Sequence, residues 1–81
     1  MRVIMYTQST CPWCKRAKKW FSERDIPFDF IDYDLADEEK KGSIRNEMNE
    51  RNVPLAFPYI KIGDEVVVGY DPDRFEELLK E

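Results

Sequence analysis

Arg2-Val3-Ile4-Met5-Tyr6-Thr7-Gln8-Ser9-Thr10-Cys11-Pro12-Trp13-Cys14 places a strand, a loop and the mouth of a helix side by side. Residues 2–6 are rich in β-branched and aromatic side chains, and the polar run 7–10 ends them, which predicts a strand followed by a loop. Pro12 suits the first position of a helix, where its missing N–H leaves nothing unpaired. Cys14, Ala17, Trp20 and Phe21 then recur at three- and four-residue steps, while Lys15, Arg16, Lys18 and Lys19 fill the opposite face. The helix is expected to stop near Arg24, because Pro27 forces the residue before it out of helical geometry.

Working outward, Phe28–Tyr33 predicts a second strand and Asp34–Ala36 a loop. Residues Asp37–Arg51 predict a surface helix, with acids in its first turn and Ile44 and Met48 as its apolar face. Gly42 weakens that helix by about 1 kcal/mol relative to Ala. Asn52 suits its C-terminal cap, and Pro54 bars its continuation. Phe57–Ile62 and Glu65–Gly69 flank Gly63-Asp64 and predict a hairpin. Asp71 is a suitable N-cap and Pro72 a suitable first residue for a last helix, whose apolar face is Phe75, Leu78 and Leu79. The order β-α-β, α, β-β-α predicts an α/β fold: a mixed four-stranded sheet, its first two strands parallel, flanked by three helices distributed over both faces. All 81 residues are expected to form a single domain.

Composition narrows the function. Thirteen Lys+Arg against 17 Asp+Glu give a formal charge of −4, and no basic stripe is long enough to suggest nucleic acid. No apolar run approaches the roughly 18 residues of a membrane span. The N-terminus has neither the apolar stretch nor the small-residue site of a signal peptide, so the cytoplasm is the expected location. The absence of His excludes Cys-His, Ser-His and His-metal mechanisms. Two cysteines this close, in a reducing compartment, point to redox chemistry or a metal before a structural staple.

The spacing Cys11-Pro12-Trp13-Cys14 after a strand and at a helix start has a mechanical meaning. Unpaired backbone N–H groups at the helix mouth point at the first sulfur and favour its thiolate. A free Cys is only about 3% thiolate at pH 7. Helix-end dipoles contribute roughly 0.3–2 kcal/mol to the anion, and Lys15 adds to them. Cys14, one turn further in, falls on the apolar stripe and is expected to be the less exposed and less acidic thiol. That asymmetry suits an attacking and a resolving cysteine. A structural disulfide across so short a loop would stabilise little. Zinc needs four ligands, of which one chain offers two thiolates, although a metal or iron–sulfur cluster shared by two chains remains an alternative.

Two further segments stand out. Phe57-Pro58-Tyr59 opens a strand with a proline, either a plain strand start or a cis X–Pro bond, with Pro54 as a competitor for that role. Val68-Gly69-Tyr70-Asp71 is either a strand end with a helix cap or one wall of a small concave surface beside the cysteines.

Tyr6-Thr7-Gln8-Ser9-Thr10-Cys11-Pro12-Trp13-Cys14, with Phe57-Pro58 and Gly69-Tyr70-Asp71 at their distance from it, resembles the glutaredoxins. Their commonest active-site form is Cys-Pro-Tyr-Cys, and Val68 here replaces the usual first glycine of a Gly-Gly-Tyr/Phe-Asp motif. The resemblance covers essentially the whole chain and selects Pro58 over Pro54 as the cis-proline. It implies a thioredoxin-like fold and a dithiol oxidoreductase without a bound cofactor or metal. By the same resemblance Cys11 attacks a disulfide, Cys14 resolves the mixed disulfide, and Pro12, Trp13 and Pro58 support the pair. Glutathione as co-substrate would then lie against Gln8, Phe57, Gly69, Tyr70 and Asp71. Family members usually carry a cation at the position of Gln8, and loss of that contact would cost glutathione on the order of 1–3 kcal/mol. The alternative is a glutathione-independent redoxin reduced by thioredoxin reductase, whose Ser-Gly-Phe-Arg-Pro type segment is absent here. The expected partners are disulfide-containing proteins and one of these electron donors, acting on a monomer. Trp13 is either an exposed rim aromatic or part of the core.

Overall fold

The computed structural model describes residues 2–80. Eight elements follow in order: β1 (Val3–Thr7), α1 (Pro12–Glu23), β2 (Asp29–Asp32), a 3₁₀ turn (Tyr33–Leu35), α2 (Glu38–Glu50), β3 (Tyr59–Ile62), β4 (Glu65–Val68) and α3 (Pro72–Leu79). The sheet order is β2-β1-β3-β4. β1 runs parallel to β2, with Ile4 opposite Asp29, and antiparallel to β3, with Met5 opposite Ile60; β3 and β4 are antiparallel.

Alternation along the strands divides the core into two layers. Val3, Met5, Ile60, Ile62 and Val67 face Ala17, Trp20 and Phe21 of α1 and Phe75 and Leu78 of α3. On the other face Tyr6 and Tyr59 pack against Ile44 and Met48 of α2. The four-stranded mixed sheet with three helices on both faces is therefore present. Trp20 meets Phe21 and Phe75 edge-on, at 4.9 and 5.3 Å between ring centroids.

Several boundaries differ from the sequence reading. α1 does stop at the expected place, ending at Glu23 with Arg24 as its cap, but Pro27 is not the cause. Asp25 turns left-handed at φ 56°, and the Ile26 N–H donates to the Phe21 carbonyl at 3.0 Å, so the helix is closed before proline acts. α2 closes the same way, with Asn52 at φ 58° and the Val53 N–H on the Met48 carbonyl at 3.0 Å. It spans 38–50 rather than 37–51 because Asp37 and Arg51 are its caps. β2 begins at Asp29 and ends at Asp32, one residue inside the expected strand at each end, and Tyr33–Leu35 form a helical turn where a strand end and loop were expected. β3 begins at Tyr59 instead of Phe57, since Pro58 has no N–H for the ladder. β4 ends at Val68, where Gly69 turns to φ 96°.

Candidate active site

β1 delivers the chain to the start of α1 through a turn in which the Cys11 N–H donates to the Gln8 carbonyl at 3.1 Å. The loop is tied across to the 3₁₀ turn: the Ser9 N–H donates to Asp34 Oδ1 at 2.9 Å and its hydroxyl to Oδ2 at 2.5 Å. Those two bonds hold the Asp34 carboxyl below the usual carboxylate range.

Cys11 is the N-cap of α1. Its Sγ accepts the backbone N–H of Cys14 at 3.2 Å, so the cap donor that a Ser or Asp oxygen would accept falls here to a sulfur. Cys11 is half-buried, whereas Cys14 is completely enclosed, 0% exposed. Burial, and then the hydrogen bond with Cys11, push the Cys14 thiol up to about 12, with the Gln8 backbone and Lys18 acting weakly in the opposite direction. No disulfide joins the two cysteines. Beneath them Thr7 Oγ1 donates to Asp32 Oδ1 at 2.6 Å, and Lys18 Nζ donates to the same oxygen at 3.3 Å. Sequence reasoning missed Asp32, Asp34 and Lys18 here. Their roles depend on β2 lying beside β1, and the only local signal is that Asp32 ends β2 and Asp34 closely follows it.

A groove of about 250 Å³ opens beside the pair, lined by Trp13, Phe57, Pro58, Gly69 and Tyr70. The Phe57–Pro58 bond is cis. The Gly69 N–H donates to the Pro58 carbonyl at 2.7 Å, which joins two walls of the groove. Trp13 is 54% exposed and stacks on Tyr70, with ring centroids 5.9 Å apart; it is a rim residue, not core. Phe57 is backed by Tyr33 at 5.3 Å. Gln8 lies beside Cys11 in sequence but does not line this groove, and its backbone carbonyl is engaged as described. Asp71 is committed to α3, whose Arg74 N–H it accepts at 3.2 Å. Pro12 is the first residue of α1. Among the described residues no three His, Cys, Asp or Glu side chains are grouped to hold a metal ion, and no helix is long and apolar enough to cross a membrane.

The family model described as Glutaredoxin matches residues 3–67. The glutaredoxin-like 8.6 kDa protein in the rubredoxin operon of Clostridium pasteurianum is 31% identical over 78 residues, covering 96% of this chain and 97% of that protein. Glutaredoxin-like protein NrdH of Lactococcus lactis is 36% identical over 76 residues, covering 94% and 97%. The crystal structure of a glutaredoxin from Archaeoglobus fulgidus superposes with a TM-score of 0.84 at 32% identity, over 99% of this chain and 87% of that one.

Proposed function

The chain belongs to the glutaredoxin family of thiol–disulfide oxidoreductases, and from that premise we propose that it reduces protein and glutathione mixed disulfides with Cys11 attacking and Cys14 resolving. The observation that carries this reading is the difference between the two sulfurs. Cys11 is reachable and receives an amide N–H at the helix mouth, while Cys14 is sealed one turn inside. The Cys11 thiolate attacks one sulfur of the substrate disulfide, and the other substrate sulfur leaves as a thiolate that takes a proton from solvent. Cys14 then gives up its proton to solvent, from which the departing substrate thiolate regains one, and attacks Cys11 Sγ. The second substrate sulfur departs, and two electrons have passed from the dithiol to the substrate, leaving a Cys11–Cys14 disulfide. Trp13, Tyr70, Phe57 and Pro58 offer the substrate chain an apolar groove, one wall of which, Trp13, belongs to the Cys11–Cys14 segment itself. The raised Cys14 value keeps that thiol protonated in the dithiol form, which leaves Cys11 as the sulfur that attacks first. A reducing compartment such as the cytoplasm suits this chemistry.

Two electron donors compete to restore the dithiol. Glutathione is the donor the resemblance implies, but the position three residues before Cys11, where the family's cation is usual, is the neutral Gln8. A flavoprotein disulfide reductase of the thioredoxin reductase type is the alternative donor; likeness to glutaredoxin-like protein NrdH speaks for it, and the missing Ser-Gly-Phe-Arg-Pro type segment speaks against it. Rates of reduction of the oxidised protein by glutathione and by thioredoxin reductase with NADPH separate the two.

The mechanism itself is tested by Cys14→Ser. Turnover of protein disulfides is expected to be lost, while a substrate adduct on Cys11 accumulates and is seen by mass spectrometry. Wild-type turnover of protein disulfides in that variant would refute the two-thiol mechanism.

A further inference from the structure

We propose that α1 presents a cationic edge to incoming substrate, and that the disulfides this chain reduces best lie in acidic polypeptide segments. The inference rests on the redox reading above and names its substrate class.

The chain is acidic overall, at −4, yet Lys15, Arg16, Lys18, Lys19 and Arg24 crowd α1 and its cap against Glu23 alone. Two of these cations are neutralised internally: Lys18 by Asp32 at 3.3 Å and Arg24 by Glu76 at 3.9 Å. Among the described residues Lys15, Arg16 and Lys19 have no carboxylate oxygen within 4.0 Å, and all three are exposed.

Their position runs against what helix stability asks for. The N-terminal end of a helix favours acids and disfavours cations. α2 obeys with Glu38 and Glu39 and α3 with Asp73, whereas α1 has no acid in its first turn and carries Lys15 and Arg16 immediately after it. The cations also continue the groove. Trp13, Arg16 and Lys19 recur every third residue, and so share one side of the helix. The Arg16 guanidinium lies 5.1 Å from the centre of the Trp13 ring, which stacks on Tyr70 in the groove wall. A polypeptide seated over Tyr70 and Trp13 with its disulfide at Cys11 therefore lays its flanking residues along Arg16 and Lys19. The acids at the start of α2 belong to a helix on the opposite face of the sheet. An acidic segment thus meets attraction on the cysteine side, and a basic one is drawn to the wrong side.

The test measures second-order rates at which the reduced protein reduces three synthetic disulfide-loop peptides of one sequence, flanked by Glu, Gln or Lys residues. 2-Hydroxyethyl disulfide serves as a small neutral control. The Glu-flanked peptide is expected to react about tenfold faster than the Lys-flanked one at low salt, with the gap closing as ionic strength rises. The double variant Arg16→Glu, Lys19→Glu is expected to erase or invert that order while leaving 2-hydroxyethyl disulfide unaffected. Lys15 is left in place because it adjoins Cys11. Equal rates for the three peptides with wild type, or an unchanged preference in the double variant, would overturn the proposal while the redox reading stood. Failure of wild type to reduce any of the four disulfides would bring down both.

Discussion

Raising the pH above the ordinary range of a thiol is expected to destabilise the reduced protein specifically through Cys14. The native Cys14 thiol holds its proton up to about pH 12, whereas in the unfolded chain it titrates near its ordinary value of 9.0. Between those values the unfolded state has lost a proton that the native state keeps. Stability is therefore fully present below pH 9 and falls as pH rises toward 12. Each pH unit in that window removes about 1.4 kcal/mol, so the move from pH 9 to about pH 10.5 removes about 2 kcal/mol, with a ceiling of about 4 kcal/mol. Against a total of roughly 5–10 kcal/mol for a chain of this size, that is measurable. The assay is urea unfolding of the reduced protein, kept reduced with a phosphine, at several pH values from 8 upward, beside Cys14→Ala. The variant starts less stable because the buried sulfur leaves a cavity. Its loss with pH is expected to be shallower by the Cys14 contribution, since Tyr6, Tyr59 and Lys61 titrate in both proteins and cancel in the comparison. Parallel curves for the two proteins would show that the thiol is not shielded, and would remove the asymmetry on which the attacking and resolving roles depend.

Gly42 sits in the interior of α2, and a methyl group there meets only Arg45 Nη2 at 3.9 Å, so Gly42→Ala is expected to stabilise by about 0.5–1 kcal/mol in thermal unfolding. The Tyr59 hydroxyl is buried beside Glu47 with no hydrogen-bond partner within 3.5 Å, and burial, followed by the Glu47 carboxylate, raises its ionisation above the usual phenol range. Tyr59→Phe should therefore be neutral or stabilise by about 1–2 kcal/mol, and a clear loss in urea unfolding would show that the hydroxyl is satisfied after all. The Ser9 clamp on Asp34 should survive until the pH falls below the usual carboxylate range, because its contribution is present above the unfolded value of 3.8 and is lost only as pH drops through the lower native one. Asp34→Ala should speed amide exchange at Ser9 at neutral pH without unfolding the sheet, as followed by NMR.

How much was legible beforehand varied with how local the cause was. α1 could be read from its own residues, because the Cys14/Ala17/Phe21 repeat and Pro12 act within a few positions, and its cap and stripe are where that pattern puts them. The end of α1 was placed correctly for the wrong reason. The stop is a left-handed Asp25 followed by the Ile26 N–H on the Phe21 carbonyl, and Asp is a residue for which such a conformation leaves only a weak mark in sequence. The 3₁₀ turn at Tyr33–Leu35 was missed because its role is tertiary: Asp34 reaches back to Ser9, a residue far away in the chain.

By itself the sequence determined the chemistry available: two thiols with no histidine, one at a helix mouth and the other on an apolar stripe. Spacing along a helix is a local property, so the difference between an outer thiol and an inner one was already legible there. Only the folded chain decided what surrounds those thiols. Parallel pairing of β1 with β2 put Asp32 and Asp34 beneath and beside the loop, and the β1–β3 pairing brought Phe57, Pro58 and Tyr70 to Trp13. Such contacts join residues that are remote along the chain, and no local propensity encodes them. They come into being only when both faces of one sheet are buried at once.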